Sequence, residues 1–309
     1  MSATFETRTQ GKLLLTGEYF VLDGAVALAM PVRFGQTVHV WQKNEKNILT
    51  WRSAAPNEPA WFQGTFDLPS LDIRETSDAA IAQTLQSILL ACRRQNPDFL
   101  SVLTGMHVET ATDFPRDWGL GTSSTLIAAL AQWADVDPYR VLADTMGGSG
   151  YDIACAYAEG PILYQRGKST PVVQTVDFQP AFSENIFFIY LGKKQNSREG
   201  IQRYRELTAS IKSVRVQIDR LTERCLTADS LAKFQRVMEE HEALVSHVLE
   251  LPTVKSLYFE DFPGAVKSLG AWGGDFVMAA SEMPEIEVRS FFKDKGLDTV
   301  LPWKEMVAV

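Results

Sequence analysis

Two glycines and four hydroxyl side chains are concentrated in residues 119–125, Gly-Leu-Gly-Thr-Ser-Ser-Thr, directly before a stretch of helical composition. Glycine lets a backbone approach a ligand closely, and a helix start offers N–H groups without intrahelical partners at the positive end of the helix dipole. This pattern predicts a cradle for phosphate groups, although no Gly-Lys-Ser/Thr follows as in a Walker A motif. A glycine loop with an ordinary helix cap is the alternative. The candidate phosphate-binding residues are Gly119, Leu120, Gly121, Thr122, Ser123 and Ser124.

A second glycine-rich turn, residues 147–150, is followed by Tyr151 and Asp152. Such a turn can bring one carboxylate to the edge of a cavity, where it would orient or deprotonate a hydroxyl group. Asp152 is therefore a candidate catalytic residue, and an ordinary turn or helix-cap aspartate is the alternative.

A third glycine-rich segment, residues 270–275, lies between two strand-like stretches. Its glycines predict either close backbone packing or a second loop that faces phosphate, and a hairpin turn is the alternative. The residues of this second glycine loop are Gly270, Gly273, Gly274 and Asp275.

Lysine and arginine side chains supply the candidate positive charges. Lys12 begins an apolar strand, where its ammonium group is either held inside a site or solvated. The most concentrated basic stretch lies at the start of a long predicted helix and contains Lys193, Lys194, Ser197 and Arg198. This stretch predicts an anion clamp for a substrate, and a solvated helix start is the alternative.

Strands and helices alternate irregularly around these segments. Strands are predicted at residues 12–15, 24–32, 37–41, 48–52, 105–110, 162–165, 172–176 and 186–191. Helices are predicted at 77–95, with Ser77 as cap, and at 125–134, and a short helix is predicted to start at 138. A long pair of helices is predicted over 197–251, with a break near 227–229. Pro31 and Gly35 are expected to end the second strand. Such a mixture predicts the α+β class, and the change of pattern predicts domains at 1–180 and 181–309.

The composition is that of a folded, acidic protein of 309 residues, 45% of them hydrophobic, with a formal net charge of −8. A negative charge without a long Lys/Arg run argues against a nucleic-acid partner. Three separated cysteines, the lack of a secretory leader and the lack of an uninterrupted apolar stretch predict a cytoplasmic protein without a membrane span. The oligomeric state is open between monomer and homodimer.

Taken in order, these segments resemble the GHMP kinases, the family of galactokinase, homoserine kinase, mevalonate kinase and phosphomevalonate kinase. The most specific piece is PRDWGLGTSST at residues 115–125, which is similar to the family's phosphate-binding motif. GKLLLTGEYFVLDG at residues 11–24 resembles the N-terminal motif, and KSLGAWGGDF at residues 267–276 resembles the C-terminal glycine motif. The phosphomevalonate kinase branch is the most similar, through GSGYDIACA at 148–156 and LGKKQNSRE at 191–199. The Gly-Tyr-Asp-Ile-Ala string within the former resembles a bacterial subgroup.

The resemblance implies a two-domain GHMP kinase fold. Its N-terminal domain would be ribosomal protein S5 domain 2-like, its C-terminal domain ferredoxin-like, and the active cleft would lie between them. It also implies ATP and Mg²⁺. Asp152 matches the family's catalytic aspartate, Lys12 the lysine paired with it, and Ser123 the serine that helps to hold Mg²⁺. Glu18 and Tyr19 of the N-terminal motif are implied to bind substrate, together with the basic stretch.

Three departures from the family pattern stand out. Trp272 replaces a glycine, which would narrow the loop over the phosphates. Thr122 stands where serine is usual and keeps the hydroxyl group. The acidic Mg²⁺ ligand is not evident, and Asp144 is the nearest candidate.

The activity that the resemblance implies is transfer of the γ-phosphoryl group of ATP to a small anionic metabolite. Mevalonate or phosphomevalonate is the expected acceptor, which would place the reaction in the mevalonate pathway of isoprenoid biosynthesis. A diphosphomevalonate decarboxylase-like enzyme and a non-catalytic ligand-binding relative are the alternatives that the sequence leaves open.

Overall fold

The computed structural model describes residues 3–101, 103–193, 197–206, 211–270, 272 and 275–308, with the backbone alone at 197–198 and 211–213. The strands are β1 Phe5–Leu14, β2 Ala27–Lys46, β3 Ile48–Ala55, β4 Glu58–Asp67, β5 Ile73–Thr76, β6 Thr104–Thr112, β7 Ile162–Gln165, β8 Val172–Thr175, β9 Ile186–Tyr190, β10 Ala265–Ser268, β11 Phe276–Ala280 and β12 Val300–Pro302. The helices are α1 Ala79–Gln95, α2 Thr122–Ala134, α3 Pro138–Thr145, α4 Tyr151–Tyr157, α5 Ser197–Glu206, α6 Ile211–Leu226, α7 Leu231–Leu249, α8 Val254–Tyr258, α9 Glu285–Asp294 and α10 Trp303–Met306. None of the helices in the described ranges combines the length and the apolarity that a membrane crossing needs.

The chain forms two compact units, each assembled from separate segments. The first unit comprises Met1–Gly11, Phe34–Arg116 and Gly121–Tyr157. The second unit comprises Lys12–Arg33, Asp117–Leu120 and Ala158–Val309. The predicted phosphate-binding segment therefore belongs to the second unit up to Leu120 and to the first unit from Gly121 onwards. The domain division expected at residues 180 and 181 stays a prediction.

In the first unit, the strands lie in the order β5-β4-β3-β6-β2. The pair β3–β6 is parallel, and the other three pairs are antiparallel. Apolar side chains of this sheet and of α1 to α4 form one core, which includes Trp51, Leu89, Leu130 and Ile153. Because α2 and α4 both contribute to this core, burial of apolar surface holds both helices in the first unit.

In the second unit, the strands lie in the order β10-β11-β9-β12, and all three pairs are antiparallel. The first residues of β2 pair with β7, which pairs with β8. One core packs Phe187, Phe259 and Phe292 together, and a second gathers Phe20 and Tyr204 with the apolar face of α7. The predicted helix break is confirmed, because α6 ends at Leu226 and α7 begins five residues later. The α+β class is confirmed.

The predicted end of the second strand was wrong. Strand β2 runs unbroken over residues 27–46, through Pro31 and Gly35. Gly35 serves close packing instead of a strand end, since a Cβ there would lie 2.5 Å from the carbonyl oxygen of Thr9 in β1.

The predicted cap of α1 was wrong by one residue. The carboxylate of Asp78 accepts hydrogen bonds from the N–H groups of Ala80 and Ile81, at 2.9 and 3.1 Å. The hydroxyl of Ser77 is bonded instead to the backbone of Gln63 in β4. A carboxylate at the N-cap also interacts favourably with the helix dipole.

Candidate active site

The start of α2 has the backbone geometry of an anion-binding turn. Gly121 is its N-cap, and its φ of 95° is a left-handed conformation that favours glycine. The first described helical bond runs from the N–H of Thr125 to the carbonyl of Gly121, at 2.9 Å. The N–H groups of Thr122, Ser123 and Ser124 precede it and have no carbonyl in a preceding helical turn. This turn is therefore suited to a phosphate group.

Two hydroxyl contacts hold this turn to the sheet of the first unit. The Thr125 hydroxyl is 2.7 Å from the side-chain oxygen of Gln36 in β2. The Thr9 hydroxyl in β1 donates to the carbonyl of Thr125, at 2.9 Å. Both threonines are buried, so the helix start is fixed by contacts that water does not reach.

Asp152 lies in the first turn of α4 and contacts the first turn of α2. Its Oδ2 accepts a hydrogen bond from the hydroxyl of Ser124, and its Oδ1 accepts one from the N–H of Ile153 at 3.1 Å. The glycine turn before α4 uses left-handed conformations at Gly147 and Gly150, with φ of 66° and 88°. The prediction from sequence named Asp152 and Ser124 separately. It missed that their side chains meet.

In the second unit, Lys12 is held against the other half of the phosphate-binding segment. Its ammonium group donates to the carbonyl of Gly119 at 2.8 Å, and its backbone N–H donates to the carbonyl of Leu120 at 3.0 Å. The ring of Trp118 packs edge-on against Phe276, with centroids 5.5 Å apart. These contacts fix the course of residues 117–120 within the second unit.

Asp275 of the second glycine loop stands directly over Gly119. A Cβ on Gly119 would lie 2.2 Å from Cγ of Asp275, and the φ of Gly119 is 66°. Asp275 is itself left-handed, with φ of 53°, and its N–H donates to the carbonyl of Lys193 at 2.8 Å. The structure thus brings together Gly119, Asp275 and the backbone of Lys193. Of the other predicted loop residues, Gly270 has φ of 65°, and Gly273 and Gly274 lie outside the described residues.

The predicted anion clamp is described only in part. The side chain of Lys193 is exposed. Lys194 lies outside the described residues, and Ser197 and Arg198 begin α5 with side chains that also lie outside the description. The clamp stays a prediction.

Glu18 is buried, with 1% of its surface exposed. Its carboxylate forms an ion pair with the ammonium group of Lys267, which is equally buried, and lies 3.3 Å from Nε2 of His241. The N–H of Gly17 donates to the same His241 nitrogen at 3.0 Å. Glu242 lies beside this group and accepts hydrogen bonds from the backbone and the side chain of Ser268. We name Glu18, His241, Glu242 and Lys267 the buried charge cluster.

Burial dominates the titration of the buried charge cluster. It raises the pKa of Glu18 to about 7, against the opposing effect of Lys267. Burial also raises the pKa of Glu242. Burial and then the charge of Lys267 lower the pKa of His241 well below its ordinary value, so His241 is neutral near pH 7.

The side chain of Trp272 is buried in the core that contains Tyr19 and Tyr204, and its indole N–H donates to the carbonyl of Pro252 at 3.4 Å. Its backbone N–H donates to the hydroxyl of Tyr19 at 2.9 Å. Both Tyr19 and Trp272 are 7% exposed. The expected narrowing of the loop over the phosphates stays a prediction. The substrate-binding roles of Glu18 and Tyr19 also stay predictions, and both side chains have polar partners within the second unit.

The candidate Mg²⁺ ligands Ser123 and Asp144 are both exposed in the first unit. Asp144 lies in α3, where its carboxylate forms an ion pair with Arg94 at 3.2 Å, so it already has a cationic partner. Ser123 stands in the first turn of α2, at the predicted phosphate site. Across the described ranges, no three His, Cys, Asp or Glu side chains come together as a metal site would require. Mg²⁺ bound with ATP takes few protein ligands, and Ser123 and Asp144 both stay predictions as ligands.

No protein-family model and no curated protein sequence matches the chain. Solved structures do match it. The chain is similar to mevalonate kinase of Methanococcus jannaschii, with 15% identity, coverage of 99% of this chain and 98% of that one, and a TM-score of 0.71. It is similar to phosphomevalonate kinase of Streptococcus pneumoniae in complex with phosphomevalonate and AMPPNP, with 17% identity, 97% and 100% coverage, and a TM-score of 0.70. It is also similar to galactokinase of Lactococcus lactis complexed with galactose, with 12% identity, 98% and 95% coverage, and a TM-score of 0.68.

These three structures are all of GHMP-type kinases, and each likeness extends over nearly the whole of both chains. The two-domain GHMP kinase fold expected from the sequence motifs is therefore confirmed. Identities of 12–17% establish the fold, and a fold by itself does not determine a reaction or a substrate.

Proposed function

We propose that the protein is an ATP-dependent kinase of the GHMP type, which transfers the γ-phosphoryl group of ATP to an oxygen atom of a small anionic metabolite. The observation that carries the proposal is the contact of Asp152 with the first turn of α2. One turn there supplies N–H groups suited to phosphate, and the same turn holds a carboxylate suited to an attacking hydroxyl group. Phosphoryl transfer needs these two elements side by side.

The N–H groups of Gly121 to Ser124 would hold phosphate oxygens, and Asp152 would accept or orient the proton of the acceptor hydroxyl group. Lys12 would stabilise negative charge that develops on the transferred group. An acceptor that is itself a phosphate is already anionic, and Asp152 would then orient it without taking a proton.

Mg²⁺ would neutralise charge on the ATP phosphates when bound. Ser123 is the proposed protein ligand, through its exposed hydroxyl in the first turn of α2. Asp144 remains a weaker proposal because of its ion pair with Arg94.

For the acceptor we propose mevalonate or phosphomevalonate. The proposal rests on the sequence motifs of the phosphomevalonate kinase branch and on the fold shared with kinases named for these substrates. Lys193, exposed beside the second glycine loop, is the described member of the proposed anion clamp. We further propose a cytoplasmic enzyme, monomeric or homodimeric.

The experiment is ADP release from ATP and Mg²⁺ with mevalonate, phosphomevalonate, homoserine and galactose in turn, with CO₂ measured in parallel. Turnover with one acceptor and no CO₂ is the expected result. Release of CO₂ in proportion to ADP would contradict the kinase proposal and indicate a decarboxylase-like reaction. Nucleotide binding without turnover on any acceptor would contradict the proposal and favour a non-catalytic relative.

A further inference from the structure

Ser124 is the one hydroxyl of residues 122–125 whose side chain is described in contact with Asp152. Its side chain is buried, 6% exposed, and its hydroxyl donates to Oδ2 of the carboxylate. The backbone N–H of Ser124 belongs to the proposed phosphate-binding set, whereas the hydroxyl points to the proposed catalytic group. The two parts of one residue can therefore be tested separately.

We propose that the Ser124 hydroxyl is a positioning group for Asp152, an inference that rests on the proposed function. Ser124 would not touch the reacting atoms, but would set the direction in which the carboxylate faces the acceptor. A deleted hydroxyl would leave the phosphate-binding backbone intact and release the carboxylate from α2.

The geometry supports positioning because both carboxylate oxygens are engaged by donors from different helices. Oδ1 takes the N–H of Ile153 from α4, and Oδ2 takes the Ser124 hydroxyl from α2. Two such bonds fix the rotation of the carboxylate about its side-chain torsions. An ionised carboxylate has about four acceptor positions, so each oxygen retains capacity for a substrate proton.

The neighbouring contact between the same two helices supplies a matched control. The hydroxyl of Tyr157, near the end of α4, donates to the carbonyl of Ala128 in α2 at 2.7 Å. Tyr157→Phe and Ser124→Ala each remove one hydroxyl that joins α2 to α4. Only the serine hydroxyl ends on the proposed catalytic carboxylate.

The test is steady-state kinetics of the full chain with ATP, Mg²⁺ and the acceptor that the wild type turns over. For Ser124→Ala we expect kcat to fall about ten- to a hundredfold with KM for ATP changed less than about twofold, the scale of one hydrogen bond to a charged group. Tyr157→Phe should keep both constants within about twofold. Ser124→Thr, which retains a hydroxyl, should recover most of the lost kcat.

The double variant Ser124→Ala, Asp152→Asn separates positioning from a general loss of structure. If Ser124 acts through Asp152, the double variant has the same kcat as Asp152→Asn alone. The inference would be overturned if the double variant lost kcat by the product of the two single losses. It would also be overturned by equal losses of kcat in Ser124→Ala and Tyr157→Phe, or by a raised KM with normal kcat in Ser124→Ala. A wild type inactive with every acceptor would overturn the proposed function, whereas an active wild type with a fully active Ser124→Ala overturns only the positioning role.

Discussion

Two carboxylates that the sequence motifs mark as functional have opposite surroundings in the two units. Asp152 in the first unit is half-buried, and its described partners are a hydroxyl and a backbone N–H. Glu18 in the second unit is 1% exposed, and its partner is the cation of Lys267. Neutral donors leave a carboxylate able to exchange a proton with a ligand, whereas a buried ion pair commits it to its partner.

The difference indicates two kinds of motif residue. The surroundings of Asp152 are compatible with its proposed catalytic role, whereas the ion pair of Glu18 with Lys267 joins the N-terminal motif to the C-terminal glycine motif inside the second unit. The bond between the Tyr19 hydroxyl and the Trp272 N–H joins the same two motifs at the next residue.

The largest expected effect is on stability, from Lys267→Met. This change leaves Glu18 buried without its cation, which should lower the free energy of unfolding by about 3–5 kcal/mol. Lys233→Met, which removes an exposed partner of Asp229, is the control and should change the free energy of unfolding far less. Urea unfolding measures both, and equal losses would show that burial does not distinguish the two lysines.

Asp152→Asn should have the converse profile, with lost activity and retained stability. We expect kcat to fall at least about a hundredfold, because the amide cannot accept the acceptor's proton as a carboxylate does. In Lys12→Met we expect kcat to fall on the same scale, because the charge that stabilises the transferred group is lost. The exposed residue Asp98 gives the control, Asp98→Asn. Near-normal turnover in Asp152→Asn and Lys12→Met would remove both catalytic assignments.

Two glycines of the second unit have left-handed backbone conformations, and replacing each by alanine distinguishes the cost of crowding from the cost of backbone strain. Gly119 and Gly270 have φ of 66° and 65°, but among the described residues only Gly119 has a neighbour, Asp275, within reach of an added Cβ. Gly119→Ala should therefore destabilise the protein by about 1–3 kcal/mol more than Gly270→Ala does. Adding Asp275→Gly should relieve most of that excess. Equal costs in thermal unfolding, with no relief, would contradict the packing of Asp275 on Gly119.

The smallest expected effect is the pH dependence contributed by His241. The pKa of His241 is lowered in the folded protein. Below about pH 6.5 the unfolded chain therefore binds a proton that the folded chain does not, and the protein becomes less stable as the pH decreases. The raised pKa values of Glu18 and Glu242 act in the opposite sense, favouring the folded state at lower pH. A comparison of variants separates the contribution of His241 to the pH dependence of stability from the contributions of these carboxyl groups.

From pH 7.0 to 5.5, wild type should lose about 1 kcal/mol more stability than His241→Gln, which cannot take up the proton. His247→Gln, exposed on the same helix, is the matched control. Parallel stability curves for wild type and His241→Gln would mean that His241 is accessible to protons in the folded state.

The sequence identified candidate residues but not their partners. Asp152, Lys12 and the glycine segments came from residue type, spacing and the motif resemblance, and their roles stay predictions. The contacts that assign roles join distant positions: 28 residues separate Ser124 from Asp152, and 249 separate Glu18 from Lys267. Residue type and periodicity indicate burial, but carry no information on which buried group meets which.

The same reason explains what local preference does not show. Trp272 was expected to narrow the loop over the phosphates, which stays a prediction, and its indole is buried in a core with Tyr19 and Tyr204 that the local sequence does not reveal. Pro31 and Gly35 were expected to end a strand, but β2 continues through both to Lys46. There the tertiary structure overrides a local preference.

The central claim is tested most directly by transfer of ³²P from γ-labelled ATP to an acceptor, with wild type and Asp152→Asn purified in parallel. The proposed kinase activity predicts label in one small anionic acceptor with wild type, reduced at least about a hundredfold with Asp152→Asn. Label that never leaves ATP, despite measurable nucleotide binding, would contradict it. Equal transfer by both proteins would contradict the role of Asp152.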